Sequence, residues 1–570
     1  MPADSGRAGA ELQARLGDAT DPDNPLGYQA VVAADERGEP LPAGEQALDD
    51  YALNAEFVPR SLGGRLTQAD RLADTLRTVF RRDPVLGLGY GVSSFIGAVP
   101  VWTSGSPDQR RWLADLLLGN HRVAAGYTEL AHGGDFSRAS LRATRRQDTF
   151  LVSGGKQLIS NAERARVLTL FARTDDAPGS RSHSHLLLDL ASVPADRLHR
   201  SRRFRTSGMR ALRLGGVEFQ DCPVPADSLV GELGGGIETV LKAFQVTRSV
   251  FPGMATGVLD TQLRIATRFA LARTLYGRPV TDLPQARTVL VEAFLDLLIS
   301  DCLATVAARA LHVLPTQTSV YAAAVKYLVP TLLHEANYHL STLLGARSYL
   351  REGPFAIFQK NSRDLPVAML AHASGAACQA TVIAQLPRLA SRSWLTAEPP
   401  PPLLFQLDEP LPELDFTRLA LSAKGADRLS ATLPAGRDDA GGPAPDPELA
   451  VLCDRFAAEL ADLKAECGAL PPRERLASAG PASFDLVDRY ATVLAANACF
   501  GVWRHNQDHR SQFLRGTPWV VAALWRLAER LGTAPAPGGL HGRERPLFDE
   551  LRARHDEGRS FDLADSPLAG

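Results

Sequence analysis

The sequence predicts an α+β fold that is mostly helical, and three changes of hydrophobic period along the chain support this prediction. Residues 47–120 place apolar side chains at helical spacing, as in QADRLADTLRTVFRR. Residues 123–231 change to short apolar or alternating runs such as VLTLFART, separated by Gly, Asn, Asp and Pro. Residues 234–395 return to long helical patterns. We therefore expect a helical unit, a β domain and a helical bundle, in that order.

The points at which the period changes divide the chain into units. With 570 residues, the chain exceeds what a single core usually accommodates. The predicted units are a helical domain, a central β domain, a helical bundle, and a linker with a further helical extension: residues 1–122, 123–232, 233–395 and 396–570. A Pro-rich stretch at 398–402 and a Gly/Pro/Asp-rich stretch at 434–447 indicate linkers within the last unit.

Composition excludes several classes of partner. The chain has 62 basic and 64 acidic residues, a formal net charge of -2, so no global field attracts nucleic acid or an anionic membrane. Its six cysteines form no CxxC pair, which argues against a metal site and a disulfide framework. The N-terminus has no signal-peptide pattern, and charges interrupt the longest apolar stretch, 289–314. We expect a cytoplasmic protein without an integral membrane segment.

The segment YTELAHGGD, residues 127–135, opens the predicted β domain. It resembles the acyl-CoA dehydrogenase signature, whose usual form is TEP followed by HGSD or AGSD. The resemblance implies that FAD is the cofactor and that Thr128 contacts the flavin ring. Gly134 stands where the family has a Ser that contacts the pyrophosphate, and its backbone N–H keeps a donor for phosphate. Taken alone, the segment also fits an ordinary Gly-rich β turn.

A second motif, GGKQLISNA at residues 154–162, resembles the family strand GxKxWITNA. In the family, the Trp covers the flavin edge and the Thr hydroxyl approaches N5, the atom that receives hydride. Leu158 and Ser160 occupy these positions, and the resemblance implies that Leu158, Ile159 and Ser160 bind the cofactor. Ser160 keeps the hydroxyl donor, while Leu158 gives up the aromatic cover. A buried strand that ends in an Asn turn is the alternative interpretation.

Two further motifs imply a shared cofactor site. RTLYGRP resembles the family's R-x-x-F-G-x-P, whose Arg reaches the FAD pyrophosphate of a neighbouring subunit, and a guanidinium suits a diphosphate in geometry and charge. Arg273 and Tyr276 take these places, and Gln285 matches the next family position after a one-residue offset. LLGARSYL resembles the GGxGYxxE segment, with Gly345 as its glycine. The resemblance thus implies a homodimer or homotetramer.

The chain departs from the family at the catalytic base. The family removes the α proton of a thioester with a Glu, usually in an IYEGT segment; here the equivalent stretch is LAHAS, which places His372 at the Glu. A smaller branch keeps the Glu on the earlier long helix, where this chain has Thr247 followed by Arg248. We expect Arg248 to contact substrate. The expected base is His372 or an unidentified group, because a His can act as a base near neutral pH; a partly buried structural histidine is the alternative.

Function follows from the resemblance as an expectation. The chain resembles enzymes that carry out α,β-dehydrogenation of an acyl thioester, acyl-CoA or acyl-carrier protein, with hydride transfer to FAD. Ser160 and His372 are the expected catalytic residues, and electron-transfer flavoprotein or oxygen is the expected acceptor. One alternative is a flavin-dependent monooxygenase on the same fold, which would use hydroxyl and His groups beside the flavin. A non-redox relative is the other.

Overall fold

The structure, a computed structural model, describes residues 5–371, 374–438, 446–534 and 543–569. Its first part is helical, as the period of the sequence predicts. The last of these helices begins with a capping box, in which the Ser106 hydroxyl accepts the Gln109 N–H and the Gln109 side chain accepts the Ser106 N–H. The helices are α1 (Ser5–Leu16), α2 (Tyr28–Arg37), α3 (Pro42–Asp50), α4 (Ala69–Arg82), α5 (Pro84–Leu86), α6 (Ser93–Ser104) and α7 (Pro107–Leu118).

A β domain follows, with its own apolar core separate from that of the helices. Its strands pair in the order β6-β7-β3-β2-β4-β5-β8, while β1 pairs in parallel with β4. The long strands β3 and β7 are antiparallel and carry two register shifts. The strands are β1 (Val123–Gly126), β2 (Arg142–Arg146), β3 (Thr149–Ser160), β4 (Val167–Arg173), β5 (His183–Asp189), β6 (Leu198–Arg200), β7 (Leu214–Pro225) and β8 (Leu229–Val230).

A helical bundle comes next and confirms the predicted fold class. Its longest helix, α8, has 37 residues and packs against α4 and against two further long helices, α9 and α10. A short hairpin connects α8 to α9. The elements are α8 (Gly236–Ala272), β9 (Thr274–Leu275), β10 (Arg278–Pro279), α9 (Pro284–Val313), α10 (Thr318–Leu344), α11 (Ala356–Asp364), α12 (Val367–Leu370), α13 (Gly375–Ile383) and α14 (Leu386–Arg392).

The extension beyond the bundle is also helical and continues the same core. Helices α17 and α19 of the extension pack against α9, and Arg526 forms a 2.9 Å ion pair with the buried Asp296. One apolar cluster therefore extends from the first helices to the end of the chain. The helices of the extension are α15 (Thr432–Asp438), α16 (Pro447–Gly468), α17 (Pro481–Arg504), α18 (Gln512–Arg515), α19 (Thr517–Arg530) and α20 (Glu544–Asp556).

The segment after α20 folds back onto the bundle through a buried ionic cluster. The Asp562 carboxylate lies 3.1 Å from Arg77 and 2.8 Å from Arg81. Arg81 also pairs with Asp260 at 2.9 Å, and Arg77 pairs with Asp301. Burial raises the pKa of Asp301 against the opposing effect of Arg77. The cluster thus joins α4, α8, α9 and the terminal segment.

The loop between β6 and β7 fixes the β domain against the bundle. A Cβ on Gly208 would lie 1.9 Å from the Arg363 carbonyl oxygen, so only glycine permits this close approach. The next residue, Met209, donates its N–H to the Asp364 carboxylate, which forms a 2.9 Å ion pair with Lys360. The β domain and α11 are therefore held in one arrangement.

By length and composition, two stretches are apolar and long enough to span a membrane: Pro84–Ser104 and Ala356–Ile383, the second of which includes residues 372–373 outside the described ranges. In the first, 94% of the apolar window is buried inside the protein, which is typical of a core helix. In the second, 25% of the window is buried. Length and composition alone are weak support for a membrane span.

Candidate functional site

The loop between β1 and β2, which carries the first motif, is held by the Glu129 carboxylate. This carboxylate accepts hydrogen bonds from the Ser140 N–H (2.8 Å) and hydroxyl (2.6 Å), the Leu141 N–H (3.0 Å) and the Lys156 ammonium (2.8 Å). Burial opposes ionisation of Glu129, but Lys156 and these hydrogen bonds outweigh it and lower the pKa to about 2. Glu129 is therefore an ionised anchor and is not available as a base.

Thr128 and the glycines lie on the open side of this loop. The Thr128 carbonyl accepts the Gln157 N–H at 2.9 Å, which joins the loop to β3. Gly133 has a φ of 55°, a conformation that favours glycine. A Cβ added to Gly133 or Gly134 would meet no atom within 4 Å. Their backbone is exposed and suits the close approach of a phosphate.

The second motif forms a bulge at the end of β3. The register with β7 shifts between Lys156 and Ile159, and Leu158 has a φ of 54°, which is strained for a residue other than glycine. The bulge exposes the Leu158 side chain, whereas the Ile159 side chain lies in the β core and leaves only its backbone for a cofactor. Ser160 is half-buried, and its hydroxyl makes no hydrogen bond among the described residues.

These residues fit FAD. Leu130 donates its N–H to the Gln157 side chain at 3.1 Å, which places it beside the bulge, and its own side chain is exposed like that of Leu158. Two exposed leucines suit the apolar ring system of a flavin. The unpaired Ser160 hydroxyl and the open Gly133–Gly134 backbone are hydrogen-bond donors on the same two segments.

The residues implied to bind the cofactor of a neighbouring subunit lie on the surface. Arg273 ends α8 and is exposed, and its guanidinium makes no hydrogen bond or ion pair among the described residues. Tyr276, in the β9–β10 turn, is 90% exposed with a φ of 53°. Gln285 and Gly345 are exposed as well. No hydrogen bond or ion pair within the described chain joins this set to Thr128 or Ser160.

Two buried cations lie on the long bundle helices α8 and α10. Arg248 on α8 is buried. Lys326 on α10 is fully buried, and its ammonium donates to the Ala368 carbonyl at 2.6 Å, close to the end of α12. Burial lowers the pKa of both side chains, that of Lys326 to about 8, and Arg248 contributes to the lowering at Lys326. Cys378 is buried beside both. Lys326 was not among the predicted site residues, although a lone Lys in the apolar run YAAAVKYLV was a signal.

The sequence has His372 and Thr247, and no carboxylate, at the two family positions for the base. His372 lies outside the described residues, so its predicted role remains a prediction. Thr247 is buried, and its hydroxyl contacts carbonyls of its own helix. Glu352 is exposed in the loop before α11. Within the described ranges, no group of three or more His, Cys, Asp or Glu side chains is arranged to hold a metal ion.

Comparison with known proteins agrees with this geometry. Residues 124–222 match the model of the acyl-CoA dehydrogenase middle domain, and residues 234–371 match that of the C-terminal domain. This part of the chain, residues 124–371, therefore belongs to the acyl-CoA dehydrogenase superfamily. The resemblance inferred from the four motifs is thereby confirmed.

Among curated relatives, the short-chain specific acyl-CoA dehydrogenase of Homo sapiens is 26% identical to this superfamily member over 269 residues, 47% of this chain. The match covers 65% of the human protein, so it spans less than two thirds of that relative. Butyryl-CoA dehydrogenase from Megasphaera elsdenii has the same fold, with a TM-score of 0.61, 19% identity, and coverage of 67% of this chain and 97% of that one.

One solved structure also includes the extension. An acyl-CoA dehydrogenase from Bacillus anthracis, solved as a complex with FAD, matches with a TM-score of 0.73 and 13% identity. The match covers 97% of this chain and 95% of that chain. The helical extension is therefore part of a fold that occurs elsewhere in the superfamily.

Proposed function

We propose that this protein is an FAD-dependent oxidoreductase that removes hydrogen from the α and β carbons of an acyl thioester. One observation carries the proposal: the Thr128–Gln157 hydrogen bond joins the segment with the exposed Leu130 and the open Gly133–Gly134 backbone to the strand end with the exposed Leu158 and the unpaired Ser160 hydroxyl. The family match and the dehydrogenases among its relatives support the same reaction class. The thioester carrier is coenzyme A or an acyl-carrier protein.

Each group has a role in this reaction. Bound FAD would supply the hydride acceptor for the β carbon. Thr128 and Ser160 hold and orient the ring system. The buried positive charges of Arg248 and Lys326 favour the negative charge that develops on the thioester as the α proton leaves, because such charges act strongly where water is excluded. His372, or a base still to be identified, takes the proton.

The proposal extends to assembly, location and electron acceptor. Arg273 is exposed at the end of α8 without an acidic partner in the described chain, which suits a cofactor phosphate on a second copy. We therefore include a homodimer or homotetramer in the proposal. We also propose a cytoplasmic protein that passes electrons to an electron-transfer flavoprotein or to oxygen.

An anaerobic absorbance titration tests the reaction. Purified protein is loaded with FAD and mixed with acyl-CoAs of increasing chain length. Bleaching of the oxidised flavin bands is expected, and Ser160→Ala and His372→Ala should slow it when FAD is saturating. Ser228→Ala, on a turn outside the site, is the control for Ser160. A protein that binds no flavin would contradict the proposal and favour a non-redox relative.

A second candidate is a flavin-dependent monooxygenase. The specific observation in its favour is that Thr247, directly before Arg248, occupies one base position and that the sequence has no carboxylate between Asp364 and Leu395 for the other. Flavin that no thioester bleaches, but that is reduced by NADH and then reacts with oxygen to give a hydroperoxide spectrum, would transfer the assignment to this reaction.

A further inference from the structure

The junction between the β domain and α8 contains polar atoms that are buried without partners. His185 on β5 is fully buried, and neither of its ring nitrogens has a hydrogen-bond partner. The Tyr127 hydroxyl, in the loop after β1, is also buried and unpartnered. The two rings are neighbours, with centroids 5.4 Å apart. Unsatisfied buried polar groups are rare because each costs about 1–3 kcal/mol, so a group of three calls for an explanation.

His183, two residues earlier on the same strand, shows that the unpartnered state is particular to His185. Its nitrogens lie 2.8 Å from the Ser182 hydroxyl and 3.1 Å from the Ala139 carbonyl. Both histidines pack against the Phe171 ring, at 4.7 Å for His183 and 5.4 Å for His185. The same strand face therefore carries one satisfied and one unsatisfied buried histidine.

Aromatic side chains surround the unpartnered atoms. Tyr127 packs against Phe244 on α8 with centroids 5.5 Å apart, and Phe136 packs edge-on against Phe171 at 5.8 Å and Phe244 at 6.0 Å. Phe136 is half-buried and is therefore a partly solvent-exposed ring of this aromatic cluster. It packs against Phe171 and Phe244, the rings that in turn contact His185 and Tyr127.

The charge state of His185 restricts what can bind there. Burial and the nearby Lys156 ammonium lower the pKa of His185 to about 3, so the ring is neutral at physiological pH. A neutral imidazole has one donor and one acceptor, and a tyrosine hydroxyl has one of each. An uncharged group that both donates and accepts hydrogen bonds, such as an amide, matches this set. A carboxylate or a phosphate would lack a counter-charge from either side chain.

The cluster also lies next to the candidate site. Tyr127 directly precedes Thr128, and Phe244 lies one helical turn before Arg248, whose guanidinium is 4.8 Å from the Phe244 ring. We infer that His185 and Tyr127 bind an amide of the arm that carries the acyl thioester. This inference rests on the proposed thioester substrate and assigns it two specificity residues of this chain.

Isothermal titration calorimetry of the FAD-loaded protein with pantetheine tests the inference, because pantetheine has two amides, no acyl group and no phosphate. His185→Leu and Tyr127→Phe should each weaken binding about three- to tenfold, the effect of losing one hydrogen bond. His185→Leu should also leave the melting temperature unchanged or raise it, since it removes unsatisfied polar atoms. His183→Leu, the matched control, should lower the melting temperature and leave affinity within about twofold.

Equal affinity in wild type, His185→Leu and Tyr127→Phe would overturn the inference, as would a wild type that does not bind pantetheine. A fall in melting temperature for His185→Leu as large as that for His183→Leu would also overturn it and indicate a structural water. Thioester bleaching of wild-type flavin tests the reaction separately. If thioesters bleach the flavin but His185→Leu does not change the affinity for pantetheine, only the inference is wrong. If His185→Leu weakens pantetheine binding but no thioester bleaches the flavin, only the proposed reaction is wrong.

Discussion

Replacing Glu129 with Gln tests whether a buried ion pair holds the loop that carries Thr128 and Gly134. The substitution keeps the shape of the side chain but removes its charge. Lys156, which is 0% exposed, would then lack its counter-charge, and one of the two acceptor atoms that serve the Ser140 and Leu141 donors would become an NH₂ group. A buried charge without a partner is strongly destabilising.

The structure gives the size of this effect. The gap between the ordinary pKa of 4.5 and a pKa of about 2 for Glu129 corresponds to about 3 kcal/mol in the free energy of unfolding. Breaking a buried ion pair costs about 3–5 kcal/mol in other proteins, which agrees. Because the folded-state pKa is depressed, this contribution is fully present above pH 4.5 and is lost as the pH falls towards 2.

Urea denaturation at pH 7, with unfolding followed by circular dichroism, measures the loss in the free energy of unfolding. We expect about 3 kcal/mol for Glu129→Gln and weaker FAD binding, because the loop loses its anchor. Glu163→Gln, which breaks an exposed ion pair with Arg213, is the control and should cost less than about 1 kcal/mol. Adding Lys156→Met to Glu129→Gln should restore most of the stability, since it removes the unpaired charge.

Two results would refute this reasoning. If the free-energy losses of Glu129→Gln and Lys156→Met simply add in the double variant, the two side chains are not energetically coupled. If Glu129→Gln costs no more than Glu163→Gln, the carboxylate does not hold the loop.

Three further predictions concern other parts of the molecule. Asp562→Asn should lower the free energy of unfolding by about 3 kcal/mol and expose the terminal segment to proteases, because two buried arginines lose their anionic partner. Asp556→Asn, in an exposed ion pair, is the control and should have no effect; equal stabilities of the two variants would contradict the prediction. Between pH 7.5 and 9.5 the free energy of unfolding of the wild type should rise by about 2 kcal/mol relative to that of Lys326→Met, because the lysine pKa is lower in the folded protein than in the unfolded chain. An equal change of the free energy of unfolding with pH in both proteins, measured by urea denaturation, would contradict this. Arg273→Ala should weaken FAD binding about 10- to 100-fold, with Arg278→Ala as the control, and an unchanged dissociation constant would exclude Arg273 from the cofactor site.

Much of the fold could be predicted from the sequence, because the spacing of apolar residues follows directly from helix and strand geometry. The predicted α+β class and the superfamily are confirmed, and the strands begin where the period changes at Val123. Motif order assigned Thr128, Leu158 and Ser160 to the predicted cofactor site, and their roles stay predictions; it gave no indication of the groups packed around them. The role of His372 remains a prediction, since it lies outside the described residues.

The sequence by itself determined which segments are helices and strands and which motifs they carry, because these depend on neighbours along the chain. Only the tertiary structure decided which distant residues meet. It paired Glu129 with Lys156, placed Lys326 beside Arg248, and left His185 without a partner next to a satisfied His183. Burial and charge pairing depend on contacts between remote segments, and such contacts leave no periodic trace in a single sequence.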